Sequence, residues 1–176
     1  IQDNNIDIVI ELIGGETPAY NYIKRSIKSN KNVITANKEV MGKYGEELLD
    51  LAEKNNVFLL YEASVAGGIP IISPLVSDLS ANDFSSIRGI INGTTNYILT
   101  KMANEKLELA EVLKEAQDLG YAEADPTSDI DGFDAQYKIS ILSRIAFNTN
   151  VSIDQIYVEG ISNIKSTDFA YASELG

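Results

Sequence analysis

"IDIVIELIGGETPAYNYIKRSIKSNKNVITANK", residues 6–38, is the stretch on which the fold turns. It opens on a short, almost continuous apolar run, 6–13, the pattern of a strand buried on both faces of a sheet. Two glycines follow. Thr17 then suits a helix N-cap, Pro18 the first helical position, and Tyr22, Ile23 and Ile27 recur at the spacing of one helix face. "NVITANK", 32–38, returns to strand composition. A strand, a helix and a strand joined by short links imply a crossover connection, hence two parallel strands.

Working outward, "EVMGKYGEELLDLAEKNN" reads as a second helix with Leu48, Leu49 and Ala52 inward, and "VFLLYEASV" as a third strand. Residues 1–5 look like the tail of a helix. Together, 1–68 form part of an open, doubly wound α/β sheet of the Rossmann type. Past residue 68 the pattern changes. Residues 69–80 suggest a helix with Pro70 in its first turn, and 85–93 a strand. Helices follow over 94–105 and 107–120, the second with Leu109, Val112, Leu113 and Ala116 on one face and Gly120 as its stop. An acidic loop, a helix from Asp134 to Asn148 and a strand-like 156–164 come next, with no obvious closing element after them. Residues 69–176 are therefore expected to be a separate α+β domain.

Composition narrows the chemistry. The chain has 176 residues, a formal charge of −12, and neither cysteine nor histidine. Disulfides, thiol nucleophiles, the usual zinc sites and Ser-His or Cys-His pairs are excluded. The negative field argues against nucleic acid or an anionic membrane as partner. No apolar run reaches the length of a membrane span and no secretory signal opens the chain, so a cytoplasmic protein is expected.

The side chains left for chemistry cluster in a few places. In "DAQYKISILSRIAF", 134–147, helical spacing aligns Asp134, Lys138, Ile141 and Ile145. One reading is a solvated ion pair one turn apart, worth roughly a few tenths of a kcal/mol. The other is a stripe facing a cleft, where a partly desolvated lysine has the lowered pKa that suits proton transfer. Glu123, just past a helix end, is either a solvated turn carboxylate or a second acid facing an amino group. "YEASVAGGIPII" runs a strand into Gly67 and Gly68; with Glu62 it makes either a tight turn or the oxygen set that hard cations take. "GIINGTTNYIL" ends on Asn92-Gly93 and starts a helix at Thr94, either capping it or holding a carboxylate. Lys38 and the Gly14-Gly15 pair stand at strand ends, where open α/β sheets bind ligands.

In this order, "VITANKE", "EASVAGGIPII", "GIINGTTNYIL" and "GYAEADPTSDIDGFDAQYK" resemble the homoserine dehydrogenase family over practically the whole chain. The resemblance implies NADP- or NAD-dependent interconversion of L-homoserine and L-aspartate 4-semialdehyde, in threonine, methionine and isoleucine biosynthesis. It implies Lys138 and Lys38 as catalytic lysines, and Glu123, Asp134 and Thr94 as substrate ligands. Gly14, Lys38 and Gly120 would contact the dinucleotide. Glu62 with Val65, Gly67 and Ile69 would hold a monovalent cation, usually sodium. A homodimer formed through the second domain is implied too. The family's Gly-x-Gly-x-x-Gly turn is not among these residues, so an excised piece is expected that binds dinucleotide poorly and has little activity alone. The alternatives are a related dehydrogenase of another small acid, a non-catalytic dimerisation module, or a plain structural domain.

Overall fold

In the computed structural model, which describes residues 1–176, three short strands lie parallel in the order β1-β2-β3. They are β1 Ile8–Glu11, β2 Asn32–Thr35 and β3 Leu59–Leu60. Helices α1 Ala19–Lys28 and α2 Lys38–Lys54 supply the two crossovers. The chain is thus α/β with a Rossmann-type parallel sheet, as the alternation in 6–38 predicts.

The chain forms two compact units, residues 1–88 with 137–156, and residues 89–136 with 157–176. In the first, Val33 and Leu59 are buried among Ile23, Ile27, Val40, Met41, Leu48 and Ala52 of α1 and α2. Helix α6, Phe133–Phe147, gives this core Ile141 and Leu142. It lies close against α2. The Ser140 hydroxyl donates to the Gly42 carbonyl at 3.2 Å, Arg144 donates to the Met41 carbonyl at 3.1 Å, and a Cβ on Gly42 would stand 3.2 Å from the Tyr137 Cα.

The second unit is helical. It comprises α3 Gly93–Glu105, α4 Leu109–Asp118, the single turn α5 Thr127–Ile130 and α7 Ser166–Leu175. Its own core is Ile98, Met102, Val112, Ala116, Ala122, Ile130 and Ile161. Tyr97 and Lys101 of α3 both reach Glu115 of α4. Helix α4 ends where Gly120 predicts: its φ of +78° carries the chain into the left-handed region. The Gly120 N–H then donates to Gln117 and the Tyr121 N–H to Ala116, which satisfies two end carbonyls.

Several sequence expectations are corrected. β1 is not buried on both faces: Ile10 is 62 % exposed, and Ile8, Ile34, Phe58 and Leu60 are exposed beside it, because α1 and α2 cover only the opposite face. Thr17 does not cap α1, which begins at Ala19 after Pro18 with no side-chain cap, and Tyr22 lies outward. The third strand is cut to two residues by a 3₁₀ turn at Glu62–Ser64. In 69–80 the helical part runs over 72–78, its last five residues the π-turn Pro74–Asp78, and Pro70 lies just before it rather than in its first turn. Neither 85–93 nor 156–164 is a strand: neither pairs with a strand of the sheet, 161–164 forms a turn closed by the Ile164 N–H on the Ile161 carbonyl, and strand composition without a pairing neighbour makes no ladder. Residues 1–5 are not helical, the acidic loop contains α5, and α7 closes the chain's C-terminal stretch.

Candidate functional site

In the first unit the candidates gather at the carboxyl ends of β1 and β2. Glu11, Thr35 and Asn37 are all buried there. The Thr35 hydroxyl donates to the Glu11 carboxylate at 2.6 Å, and the Ile13 N–H donates to its other oxygen at 2.7 Å. The Asn37 N–H donates in turn to Thr35 Oγ1 at 3.0 Å. Asn37 caps α2 by accepting from the Val40 N–H, while its amide donates to the Gly15 carbonyl at 2.7 Å. A buried polar chain therefore ties the Gly14-Gly15 turn to the helix end that bears Lys38.

The next residue completes the anchorage. Glu16 accepts from Lys43 at 2.8 Å and from Tyr44 at 2.5 Å. The bond from Lys43, then that from Tyr44, holds its carboxyl below the usual range. Nothing lies within 4 Å of where a Cβ on Gly14 or Gly15 would stand, so the turn is bare on its outer side. Such a turn at strand ends suits the close approach of a nucleotide.

Further along this unit, Glu62 accepts from three backbone N–H groups, Ile71 at 2.7 Å, Ile72 at 2.9 Å and Ser73 at 2.7 Å. Burial works to raise its pKa, but the amides of Ile71, Ser73 and Ile72 together outweigh it and the net shift is downward. Val65 is buried and Gly67 lies in the left-handed region, while Ile69 is exposed. Lys38 at the start of α2 and Lys138 on α6 are both half-buried.

In the second unit the centre is Asn92. Its side-chain amide donates to Asp129 at 2.6 Å and to Asp134 at 2.9 Å. Its carbonyl oxygen accepts the Thr95 N–H at 2.8 Å, capping α3. Asp134 is 1 % exposed. Thr94, on the first turn of α3, donates from its hydroxyl to the Tyr121 carbonyl at 3.0 Å, and the Tyr97 and Tyr121 rings stand 4.9 Å apart. The Gln117 amide holds the Glu123 carbonyl at 3.1 Å, leaving the exposed Glu123 side chain outward. Asp134, Thr94, Gly120 and Glu123 are thus linked through Asn92, α3 and the turn that follows α4.

Asp129 and the Glu11-Thr35-Asn37 chain escaped the sequence reading. The signal for Asp129 was weak: it is one of four aspartates within 125–134, and only the fold shows which of them shares an amide with Asp134.

One unit thus carries a parallel sheet with an open glycine turn at its strand ends, and the other a buried carboxylate, Asp134, held by an amide. The profile described as the homoserine dehydrogenase NAD-binding domain matches residues 1–62, so the first unit's sheet is part of a domain of the NAD-binding class. A second profile, homoserine dehydrogenase, matches residues 70–176, and the chain belongs to that family. The homoserine dehydrogenase of Bacillus subtilis is 50 % identical over 176 residues, all of this chain and 41 % of the relative. That of Neisseria gonorrhoeae is 51 % identical over 98 % of this chain and 40 % of its own length. Among solved structures, a homoserine dehydrogenase from Thiobacillus denitrificans superposes with a TM-score of 0.94 at 50 % identity, covering 97 % of this chain and 40 % of that one. The S. aureus enzyme at pH 7.5 gives 0.82 at 41 % identity, over 99 % and 40 %. The chain therefore spans about two fifths of the length of these relatives.

Proposed function

We propose that this chain supplies substrate-handling and part of the cofactor-handling machinery for NAD(P)-dependent interconversion of L-homoserine and L-aspartate 4-semialdehyde, a step toward threonine, methionine and isoleucine in the cytoplasm. The observation that carries this reading is Asp134: a carboxylate withdrawn from water and oriented by an amide is suited to an ammonium ligand such as the amino group of homoserine. Asp134, Glu123 and Thr94 are assigned to the substrate, and Lys138, with Lys38, to proton handling.

The chemistry supplied by a bound nicotinamide is acceptance of a hydride from C4 of homoserine. The hydroxyl proton leaves C4's oxygen for a lysine amine, and the resulting ammonium stabilises negative charge still carried by that oxygen. The bare Gly14-Gly15 turn fits a dinucleotide, with Gly14, Lys38 and Gly120 as its contacts. Because the Glu62 carboxylate is taken by amides, the proposed sodium ligands are backbone oxygens of Glu62, Val65, Gly67 and Ile69. In this reading 1–68 serves the dinucleotide and 69–176 serves substrate and homodimer, and these residues alone turn over little.

The test is a homoserine dehydrogenase of full family length carrying these 176 residues, assayed with homoserine and each nicotinamide cofactor. Lys138→Ala is expected to lower kcat by about 100-fold or more with the fold intact. A neutral Lys138→Met with full activity would instead favour a purely structural lysine.

A further inference from the structure

We infer that Asn92 is a positioning residue for the substrate-binding carboxylate of Asp134: one side-chain amide, buried where α3 begins, clamps Asp129 and Asp134 together. This deepens the reading of Asp134 as a substrate ligand and rests on it. The geometry accounts for both ends of the side chain. Asn92 Oδ1 accepts from the Thr95 N–H at 2.8 Å and from the Thr95 hydroxyl at 2.8 Å, so that end is committed to α3. The amide plane then fixes where Nδ2 points, and its two hydrogens go to two different carboxylates, at 2.6 Å and 2.9 Å. Asp129 lies on α5 and Asp134 on the first turn of α6, five residues apart in sequence. Two carboxylates brought near one another repel, and a shared donor offsets that repulsion. Asn suits this task where the other good N-caps do not. Aspartate would present a third carboxylate, and serine has one hydrogen on a shorter arm. All three cap a helix about equally well.

That equality makes the inference testable, because capping and clamping separate. In the full-length enzyme carrying these residues, Asn92→Ser and Asn92→Asp keep the cap of α3 and should keep the circular dichroism of the parent. The KM for homoserine is expected to rise about 10-fold in Asn92→Ser and about 100-fold in Asn92→Asp, with the cofactor KM within about twofold, since a hydrogen bond to a charged group is removed and then replaced by repulsion. A role in capping alone predicts no such split. If both variants hold the parental homoserine KM within about threefold while Asp134→Asn raises it, the clamp is wrong and the substrate reading stands. Should Asp134→Asn itself be silent, the substrate reading falls. ¹³C carboxyl spectra of the aspartate-labelled chain then decide the clamp: Asp129 and Asp134 signals that move together in Asn92→Ser support it, and signals that stay put overturn it.

Discussion

Gly132 and Gly160 show what single positions contribute in the acidic segment. Gly132 has φ +87°, and a Cβ there would stand 2.8 Å from Val158 Cγ2 and 3.2 Å from the Glu159 carbonyl oxygen. Gly160 is tighter, for its Cβ would come within 2.5 Å of the Ile130 carbonyl oxygen and 2.8 Å of the Asp131 Cα. Two backbone segments touch here, and the Ile161 N–H donates to that same Ile130 carbonyl at 2.8 Å. Neither neighbour is a side chain that can swing aside. Gly160→Ala is therefore expected to destabilise by about 2–3 kcal/mol in urea denaturation, the overpacking range. Gly93→Ala is the contrasting control. Nothing lies within 4 Å of its added methyl, so it should be neutral or gain up to about 1 kcal/mol from helix propensity. Nothing in the sequence points to Gly160, because a close approach depends on a segment 30 positions upstream.

Helices with a strong period were legible, and segments whose form depends on a neighbour were not. Helices α2, α3, α4 and α6 start and stop within a residue or two of expectation, since Asn37, Asn92 and Gly120 are local signals. The strands expected over 85–93 and 156–164 fail because pairing is not local, whereas the helix expected in 69–80 does form, confined to 72–78. Its turn is organised from outside by Glu62, which accepts the N–H groups of Ile71, Ile72 and Ser73. That arrangement makes a prediction about acid stability. The folded Glu62 carboxyl titrates below its ordinary 4.5, so the folded state binds its proton less readily than the unfolded chain. Its contribution is present above about pH 4.5 and is lost as the pH falls through the lowered folded value. Glu62→Gln should then remove about 1 kcal/mol at pH 7, the low end for charge-assisted bonds because the carboxylate remains partly hydrated. Below the folded pKa the variant and the parent should converge. Urea midpoints measured at intervals from pH 7 to pH 3 check this, and a constant difference across that range would count against the carboxylate's charge as the cause.

For the molecule taken whole, the sheet matters most. Its pleat alternates correctly: Val33 and Leu59, in register, face α1 and α2, while Ile10, Ile34 and Leu60, also in register, face outward. Ile8 and Phe58 extend the outward row, and Phe58 is 73 % exposed. The apolar run in β1 that predicts burial on both faces is thus a faithful record of what a parallel sheet requires, and only one face is covered within these residues. An apolar row of this kind on a surface drives association. Sedimentation velocity of the chain at rising concentration should show self-association that weakens in Ile10→Lys with Leu60→Lys. Both side chains already point to water, so the pair should leave the urea midpoint nearly unchanged. The same experiment separates two modes of assembly. Association that vanishes in the double variant ran through the sheet face. A dimer that survives the lysines has its interface elsewhere, as the homodimer proposed through 69–176 requires, because adding two like charges to the sheet face leaves that surface untouched.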